Sequence, residues 1–280
     1  MPADTDTITC YVAFLARSIS ASSISSYLNI IRILHLDAGL KNPLENNWEV
    51  QMVKRGVSRL KGSPPRQKMP ITVQILREIF VMLDHCSSSF DISFWAACLV
   101  AFFGFFRKST ILPVSSSSPP GICRSDVRNF TSSSFDLVIR HSKTIQFGQR
   151  VLVLPFVACP DPRVCPVRAL WSHLTRSPVG ADNHVFSFRS AGRVKLLTHA
   201  VFVRKLKELI VATGRNPMMY SAHSFRRGGS TFAFSVNMPL LQVKARGDWK
   251  SNCFERYIDI SSQSAFESAA LLSAGAAVAI

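Results

Sequence analysis

Apolar residues recur at helical spacing through the first sixty positions of the chain. Residues 7–18, 24–34 and 53–60 each place apolar side chains three or four positions apart, which puts them on one face of a helix. Four cations surround the third stretch: Lys54, Arg55, Arg59 and Lys61. This pattern predicts a small all-α domain of three short helices, one of them strongly basic.

The helical pattern stops at residues 61–70, which read Lys-Gly-Ser-Pro-Pro-Arg-Gln-Lys-Met-Pro. Proline lacks the amide that a helix needs and fixes its own φ angle, so a helix does not continue through this segment. The cations Lys61, Arg66 and Lys68 make it a basic, semi-rigid linker. We therefore place a domain boundary here, with one domain at residues 1–66 and a larger one at 67–280.

The larger domain is predicted to be mostly helical with one β-hairpin. Apolar and polar residues alternate over Phe135–His141 and Arg150–Val157, which predicts two strands joined by a turn at residues 142–149. Helical spacing occurs in five other stretches: 72–84, 92–106, 166–174, 198–213 and from 222 onward. The predicted fold class is mainly α with a small antiparallel β-sheet.

The charge of the chain narrows the class of partner. Thirty-three Lys and Arg residues against 17 Asp and Glu give a net charge of +16, which favours a polyanion, and nucleic acid first. The longest uncharged run, residues 92–106, is shorter than a membrane span and predicts a buried helix. The acidic N-terminus indicates no secretory signal, so we expect no membrane partner.

Neither a metal ion nor another cofactor is expected. The seven cysteines form no C-x-x-C pair, which favours a reducing compartment and free thiols. A zinc site at Cys159 and Cys165 with His173 and His184 is an alternative, although the spacing fits no common ligand pattern. The acidic residues are spread without a repeated pattern, which disfavours a nuclease that holds two metal ions.

Reactive residue types are concentrated near the C-terminal end. The chain reads His223-Ser-Phe-Arg226-Arg227-Gly-Gly, then Gly247-Asp248-Trp249, then Tyr257. A His and an Arg three positions apart share one helical face, where both could hold the same phosphate. Tyr257 could attack that phosphate. Two cations upstream, Arg107 and Lys143, could be brought to the same point by the fold.

Taken singly, each of these residues has an ordinary structural explanation. Arg107 could reach solvent at the end of the apolar helix, Lys143 could be an exposed turn lysine, and Tyr257 could pack half-buried. His223 could cap a helix beside a solvated Arg226. Breaking a phosphodiester without a metal requires planar cationic donors, a nucleophile and a proton donor. The ordered set supplies all three, which makes it far more specific than any member.

The set resembles the catalytic domain of tyrosine recombinases, the phage integrase family, whose pattern is Arg, Lys, His-x-x-Arg, His or Trp, and Tyr. The resemblance covers roughly residues 70–260, and the preceding helices resemble that family's core-binding domain. Ser142-Lys143-Thr144 and Gly247-Asp248-Trp249 look most like recombinases of eukaryotic mobile elements of the Crypton and DIRS types.

The resemblance implies a role for each residue of the set. Tyr257 would be the nucleophile that forms a 3′-phosphotyrosyl linkage and frees a 5′-hydroxyl. Arg107 and Arg226 would hold the scissile phosphate, His223 would assist proton transfer at the nucleophile, and Lys143 would be the general acid. The His/Trp position is Asp248 by the usual spacing and Trp249 by residue type, and we favour Trp249 because a carboxylate would repel the phosphate.

A further departure from the family pattern is Thr110, where many members have an acidic residue; it raises the prospect of reduced activity. The main alternative is thus a weakened or inactive DNA-binding protein derived from a mobile-element recombinase. A type IB topoisomerase, acting as a monomer, would use nearly the same residues.

The resemblance also implies partners and a compartment. A recombinase would bind double-stranded DNA and assemble as a homo-tetramer on two duplexes, in the nucleus if the source is eukaryotic and otherwise in the cytoplasm. Contacts outside the catalytic centre should be mainly to phosphates. Six cations are the candidates: Lys54, Arg55, Arg59, Arg66, Lys68 and Arg227.

Overall fold

The computed structural model describes residues 2–62, 67–115, 117–118, 121–177, 179–258 and 270. The chain divides into two compact units, Met1–Arg66 and Gln67–Ile280. The division falls at the basic linker. That the first unit binds DNA and the second carries the catalytic centre stays a prediction.

The first unit contains three helices in its described part: α1 (Thr5–Leu15), α2 (Ala21–Asp37) and α3 (Trp48–Lys61). Each begins after a polar residue whose side chain accepts an amide of the first turn: Asp4, Ser20 and Asn47. Such caps satisfy amides that have no partner within the helix. Apolar side chains from all three helices form a small separate core.

The second unit is built around a helix that is buried on every side. Helix α5 (Ser89–Phe103) buries each residue from Asp91 to Phe102. The other helices in the described part are α4 (Val73–Val81), α6 (Lys108–Ile111), α7 (Pro166–Arg176), α8 (His199–Ala212), α9 (His223–Ser235) and α10 (Leu240–Arg246). A helix that is apolar all round must be enclosed, and it thereby gives the residues that follow it a rigid support.

Two small antiparallel sheets complete this unit. The first has the order β1-β2-β3, with β1 at Val127–Arg128, β2 at Ser134–Ile139 and β3 at Leu152–Val157. Ile139 pairs with Leu152, so residues 140–151 connect these two strands. The second pairs β4 (Ser187–Ser190) with β5 (Arg193–Leu196) through a turn in which Ala191 and Gly192 have positive φ.

Helix α9 lies very close to the end of α5 and to the segment that precedes α4, because two of its residues have no side chain. A Cβ at Gly228 would overlap the carbonyl oxygen of Ile71, and one at Gly229 would overlap the carbonyl oxygen of Phe102. Without side chains, these glycines let other parts of the protein's own backbone approach closely. This packing brings the N-terminus of α9 next to the end of α5.

The predicted fold class is confirmed: the described chain is mainly helical with small antiparallel sheets. Several predicted ends differ from the structure by two or three residues, and one of these differences changes the position of a candidate site residue. Helix α5 ends at Phe103, not at 106, because Gly104 caps it and Phe105 takes a left-handed φ of 50°. Arg107 therefore does not end the buried helix but occupies the N-cap position of α6. No described helix is both long enough and apolar enough to cross a membrane.

Candidate active site

Arg226 is the most buried member of the predicted set, with 2% of its surface exposed. Its Nη2 donates to the carbonyl oxygen of Gly247 at 2.8 Å, and its Nη1 donates to that of Phe105. Phe105 precedes Arg107 by two residues, and Gly247 precedes Trp249 by two. The guanidinium thus holds together three chain segments that are distant in sequence.

Trp249 covers one face of this guanidinium. The centroid of the indole ring lies 3.8 Å from Arg226 Cζ, and Trp249 is 5% exposed. A side chain at Gly247 would overlap the indole, so the glycine lets the ring fold back over its own chain. A cation over the face of Trp is an attractive contact, and it strengthens when water is excluded.

Burial, and then the nearby Arg107, lower the pKa of Arg226, while Tyr257 and Asp248 act in the opposite direction. Among the described residues, no carboxylate forms an ion pair with Arg226 within 4.0 Å. A buried cation without a paired carboxylate is costly. The arrangement therefore favours the binding of an anion.

Arg107 is half-buried and lies between two depressions of the surface. It lines a narrow cleft together with Arg226 and Asp248, and a larger cavity of about 440 Å³ together with His223. Its charge helps to lower the pKa of both Arg226 and His223. Two guanidiniums and an imidazole therefore act on the same small region.

His223 begins helix α9 and keeps part of its ring exposed. Partial burial, and then the charges of Arg226, Arg107 and Arg227, lower its pKa from the usual 6.5. The imidazole is therefore neutral at pH 7 and can accept a proton. Its ring centroid lies 5.1 Å from that of Tyr257.

Tyr257 is the last residue of a 3-10 turn, Asn252–Tyr257. Its ring centroid lies 5.4 Å from that of Trp249 and 5.3 Å from Arg226 Cζ. Its carbonyl oxygen accepts hydrogen bonds from the Ser230 and Thr231 hydroxyls of α9, at 3.4 and 3.2 Å. The phenol thus lies beside the buried guanidinium, and the backbone that carries it is attached to the same helix as His223.

Lys143 is placed differently. It lies on the loop between β2 and β3 and is exposed. Within the described chain, no hydrogen bond or ion pair joins its amine to the other predicted site residues. Its neighbours do reach the site: the Ser142 and Thr144 hydroxyls both donate to the carboxylate of Asp248, Ser142 at 3.5 Å.

Asp248 has a role that the sequence did not reveal. Its carboxylate accepts the two hydroxyls of the loop and pairs with Arg150 at the other end of that loop. Burial raises the pKa of this carboxyl, but the hydrogen bonds from Thr144 and Arg150 outweigh that effect and lower it. The repulsion expected between an Asp at this position and a phosphate is thus reduced, because the carboxylate is already partnered.

The cations predicted to contact DNA have varied surroundings. Lys54 and Arg55 line a cavity of about 340 Å³ in the first unit, and Arg59 is exposed on the same helix. Lys68 donates from its amine to the carbonyl of Met218 at 2.6 Å, and Arg227 donates to the carbonyl of Lys68 at 2.8 Å. Arg66 lies outside the described residues.

Two cations that the sequence did not single out line the cavity beside Arg107 and His223. They are Lys108, directly after Arg107, and Lys207 on α8. Neither belongs to a motif, so only their position in the fold points to them.

The described residues contain no group of three His, Cys, Asp or Glu side chains that could hold a metal ion. His173 of the zinc alternative instead donates from Nε2 to the carbonyl of Val185 at 2.6 Å. Burial lowers the pKa of this imidazole, and the same holds for His184. Both residues are therefore neutral core histidines.

The chain is similar to an integrase/recombinase xerD homolog of Selenomonas ruminantium, at 26% identity over 274 residues that cover 92% of this chain and 74% of the relative. No model of a known protein family matches it.

Solved structures show the same fold. The Tn1549 transposon integrase in complex with transposon right end DNA matches with a TM-score of 0.62 at 11% identity. The match covers 97% of this chain and 86% of the Tn1549 integrase chain. A lambda integrase dimer bound to a core site matches with a TM-score of 0.61 at 14% identity, over 92% of this chain and 82% of the lambda integrase chain. The XerH site-specific recombinase bound to its difH substrate matches with a TM-score of 0.60 at 13% identity, over 97% of this chain and 70% of the XerH chain.

The fold of this chain is therefore that of tyrosine recombinases. The xerD homolog and the solved structures together support the tyrosine recombinase/integrase family for the chain. The closer likeness to Crypton and DIRS elements stays a prediction.

Proposed function

We propose that this protein is a site-specific DNA recombinase that cleaves and rejoins DNA through a 3′-phosphotyrosyl intermediate without a metal ion. One observation carries the proposal: the phenol of Tyr257 lies beside a buried, stacked guanidinium that has no carboxylate partner among the described residues. The similar xerD homolog supports the same reaction class, as do the integrases and recombinases solved in complexes with DNA.

The scissile phosphate would occupy the region between Arg107 and Arg226. Planar guanidinium donors suit the non-bridging oxygens of a phosphodiester, and donors fixed before the reaction need no reorganisation during it. Arg226 is fixed by two carbonyls and by Trp249. We assign Trp249, rather than Asp248, to the His/Trp position, because the indole contacts the phosphate-binding guanidinium.

Cleavage would transfer the phosphate to the protein. Tyr257 Oη forms a bond to phosphorus, and its proton passes to the neutral imidazole of His223. The bond from phosphorus to the 5′-oxygen breaks, and Lys143 gives the leaving oxygen its proton. Because the phosphotyrosyl ester keeps the energy of the original bond, a second 5′-hydroxyl can reverse the step without ATP.

The strand that carries the scissile phosphate would continue past the cavity beside His223. Lys68, Lys108 and Lys207 line this cavity with Arg107, and no acidic residue is among its lining residues. Such a surface favours the phosphates next to the cleavage site. In the first unit, Lys54, Arg55 and Arg59 of α3 would contact phosphates of the same duplex.

The assembly and the biological setting belong to the same proposal. Exchange between two double-stranded DNA molecules requires four active sites, which a homo-tetramer would supply. The motif wording around Lys143 and Asp248 suggests a mobile element of a eukaryote, and the protein would then act in the nucleus.

The test is a suicide DNA substrate whose nick lets the 5′-hydroxyl fragment diffuse away. We expect a covalent protein–DNA adduct that resists denaturation, survives EDTA and disappears in Tyr257→Phe. An adduct in the Phe variant, or cleavage that needs a divalent ion, would overturn the mechanism.

The second candidate function is a DNA-binding protein that no longer cuts. It is favoured by two features: the exposed Lys143 amine, which contacts none of the other described site residues, and Thr110 at the position where many relatives have an acid. Binding of duplex DNA by a wild-type protein that forms no adduct would establish it.

A further inference from the structure

Three side chains of the β2–β3 loop converge on one carboxylate. Ser142 and Thr144 donate their hydroxyls to Asp248 Oδ2, and Arg150 pairs with Oδ1. Ser142 and Thr144 lie near the start of the loop and Arg150 lies near its end. Asp248 belongs to the turn that follows α10. Asp248 is thus the point where the loop is attached to the rest of the second unit.

We propose that Asp248 is a positioning residue that holds Lys143 in place to protonate the leaving 5′-oxygen, a role that rests on the proposed function. Lys143 lies between the two hydroxyl donors, so fixing both neighbours fixes the backbone from which its side chain extends. The amine stays free to reach the substrate, because the contacts involve its neighbours and not the amine itself.

The loop needs such an attachment. Residues 140–151 lie outside the paired strands, and most of them are exposed. Ile145, with 1% exposure, is anchored by apolar burial, and Ser142 and Ile145 exchange two backbone hydrogen bonds that fix the local shape of the turn at Lys143. The hydrogen bonds to Asp248 connect that turn to the segment that carries Trp249. A general acid must lie within hydrogen-bond reach of the leaving atom, and a shift of about 1 Å can cost a factor of roughly 100 in rate.

Asp248 also connects the loop to the site for the phosphate. Its neighbour Trp249 stacks on Arg226, and Gly247 accepts a hydrogen bond from that guanidinium. One short turn therefore sets the positions of both the phosphate-binding cation and the loop of the proton donor. The backbone suits an aspartate, since φ at Asp248 is 52° and Asp tolerates this region better than most residues.

The experiment uses two suicide substrates that differ in one atom. In the first, the leaving atom is the normal 5′-oxygen; in the second it is sulfur. A thiolate leaves without protonation because the pKa of a thiol is only about 8.5. A defect in the general acid therefore disappears on the sulfur substrate, whereas a defect in phosphate binding or in folding persists.

Four variants separate the possible causes. Asp248→Gly removes the carboxylate without straining the positive φ, because glycine adopts this region freely. Asp248→Asn keeps hydrogen-bond acceptance but not the ion pair with Arg150. Lys143→Ala removes the proposed acid. Gln149→Ala is the control, since within the described part of the chain its side chain accepts a hydrogen bond only from the Phe147 amide of the same loop.

We expect Asp248→Gly to cleave the oxygen substrate about 10- to 100-fold more slowly than wild type and the sulfur substrate within about 3-fold of it. Lys143→Ala should slow cleavage of the oxygen substrate more strongly and also leave the sulfur substrate nearly unaffected. Asp248→Asn should slow cleavage of the oxygen substrate to an intermediate extent, and Gln149→Ala should not slow it. Equal defects of Asp248→Gly on both substrates, or no defect on either, would overturn the inference.

A second measurement does not depend on activity. Hydrogen exchange of the amides of residues 141–145 should be faster in Asp248→Gly than in wild type and unchanged in Gln149→Ala. Unchanged exchange in Asp248→Gly would also overturn the inference. Failure of the proposed function would be distinguishable, because wild type would then form no Tyr257 adduct on either substrate.

Discussion

At the scale of single residues, the site depends on how two charged groups are buried. Arg226 gives two of its donors to backbone carbonyls and one face to Trp249, and no described carboxylate neutralises it. Asp248, directly before Trp249 in the chain, accepts hydrogen bonds from two hydroxyls of the loop that carries Lys143 and pairs with an arginine of that loop. The positive charge is thereby left available for an anion, while the carboxylate of Asp248 accepts structural hydrogen bonds.

Also at the residue scale, we expect the buried His184 to make the protein less stable in acid. Burial lowers the pKa of His184 to about 4, and its Nδ1 accepts a hydrogen bond from the Phe186 amide at 3.1 Å. Between pH 6.5 and about 4 the unfolded chain binds this proton and the folded chain does not, so protonation favours unfolding. The free energy of unfolding should fall by about 3 kcal/mol across that interval and stay level above it.

Urea unfolding at a series of pH values measures this. His184→Gln should show a shallower decline than wild type, and the exposed His141→Gln should follow wild type. An equally steep decline in His184→Gln would show that other groups cause the acid sensitivity.

At the scale of elements, the packing of α9 on α5 decides whether the residues of the predicted set meet. Helix α9 carries His223 and Arg226 and binds the carbonyl of Tyr257, while α5 leads directly into Phe105 and Arg107. Gly229 permits the close approach of the two backbones. A wider spacing would move Arg226 away from the carbonyl of Phe105.

Gly229→Ala should therefore destabilise the second unit. The added methyl group would overlap the Phe102 carbonyl and the Phe105 ring, and overpacking of this kind typically costs about 1–3 kcal/mol. The control is Gly56→Ala on α3, where nothing lies within 4 Å of the new methyl group. That change should stabilise the first unit by about 0.5–1 kcal/mol, since alanine favours helices. Thermal or urea unfolding would compare the two; equal effects would contradict the packing argument.

At the scale of the whole molecule, the net charge of +16 is distributed over both units. The basic helix α3 lies in the first, and the cavity lined by Lys108 and Lys207 lies in the second. Cations that bind phosphates release counterions from DNA, so their number sets the salt dependence of binding.

Changing Lys54 and Arg55 to alanine together should weaken DNA binding about equally on any sequence. The slope of log binding constant against log salt should become less steep by about 0.9 for each phosphate that the variant no longer binds. Titrations of labelled duplexes at several salt concentrations would show this. Arg204→Ala, which removes an exposed cation near Glu208 on α8, serves as the control. An unchanged slope in the double variant would mean that α3 does not contact the duplex.

Local patterns in the sequence were enough to predict most of the helices of both units, the hairpin strands and the fold class. Periodicity, capping residues and prolines act within a few positions along the chain, so they can be read without knowing the fold. The short strands β1, β4 and β5 and the one-turn helix α6 escaped prediction, because two to four residues hold too little pattern. The end of α5 was misplaced because Phe105 and Phe106 continue an apolar run although the backbone turns at Gly104.

The order of residues along the chain was sufficient to propose a candidate set: Arg107, Lys143, His223, Arg226 and Tyr257. The folded arrangement was needed to learn that the guanidinium of Arg226 is buried against Trp249 and Tyr257, that the Lys143 amine stays exposed, and that Asp248 binds the loop. Contacts between residues a hundred positions apart depend on how whole helices pack. No local pattern records which side chains that packing brings together.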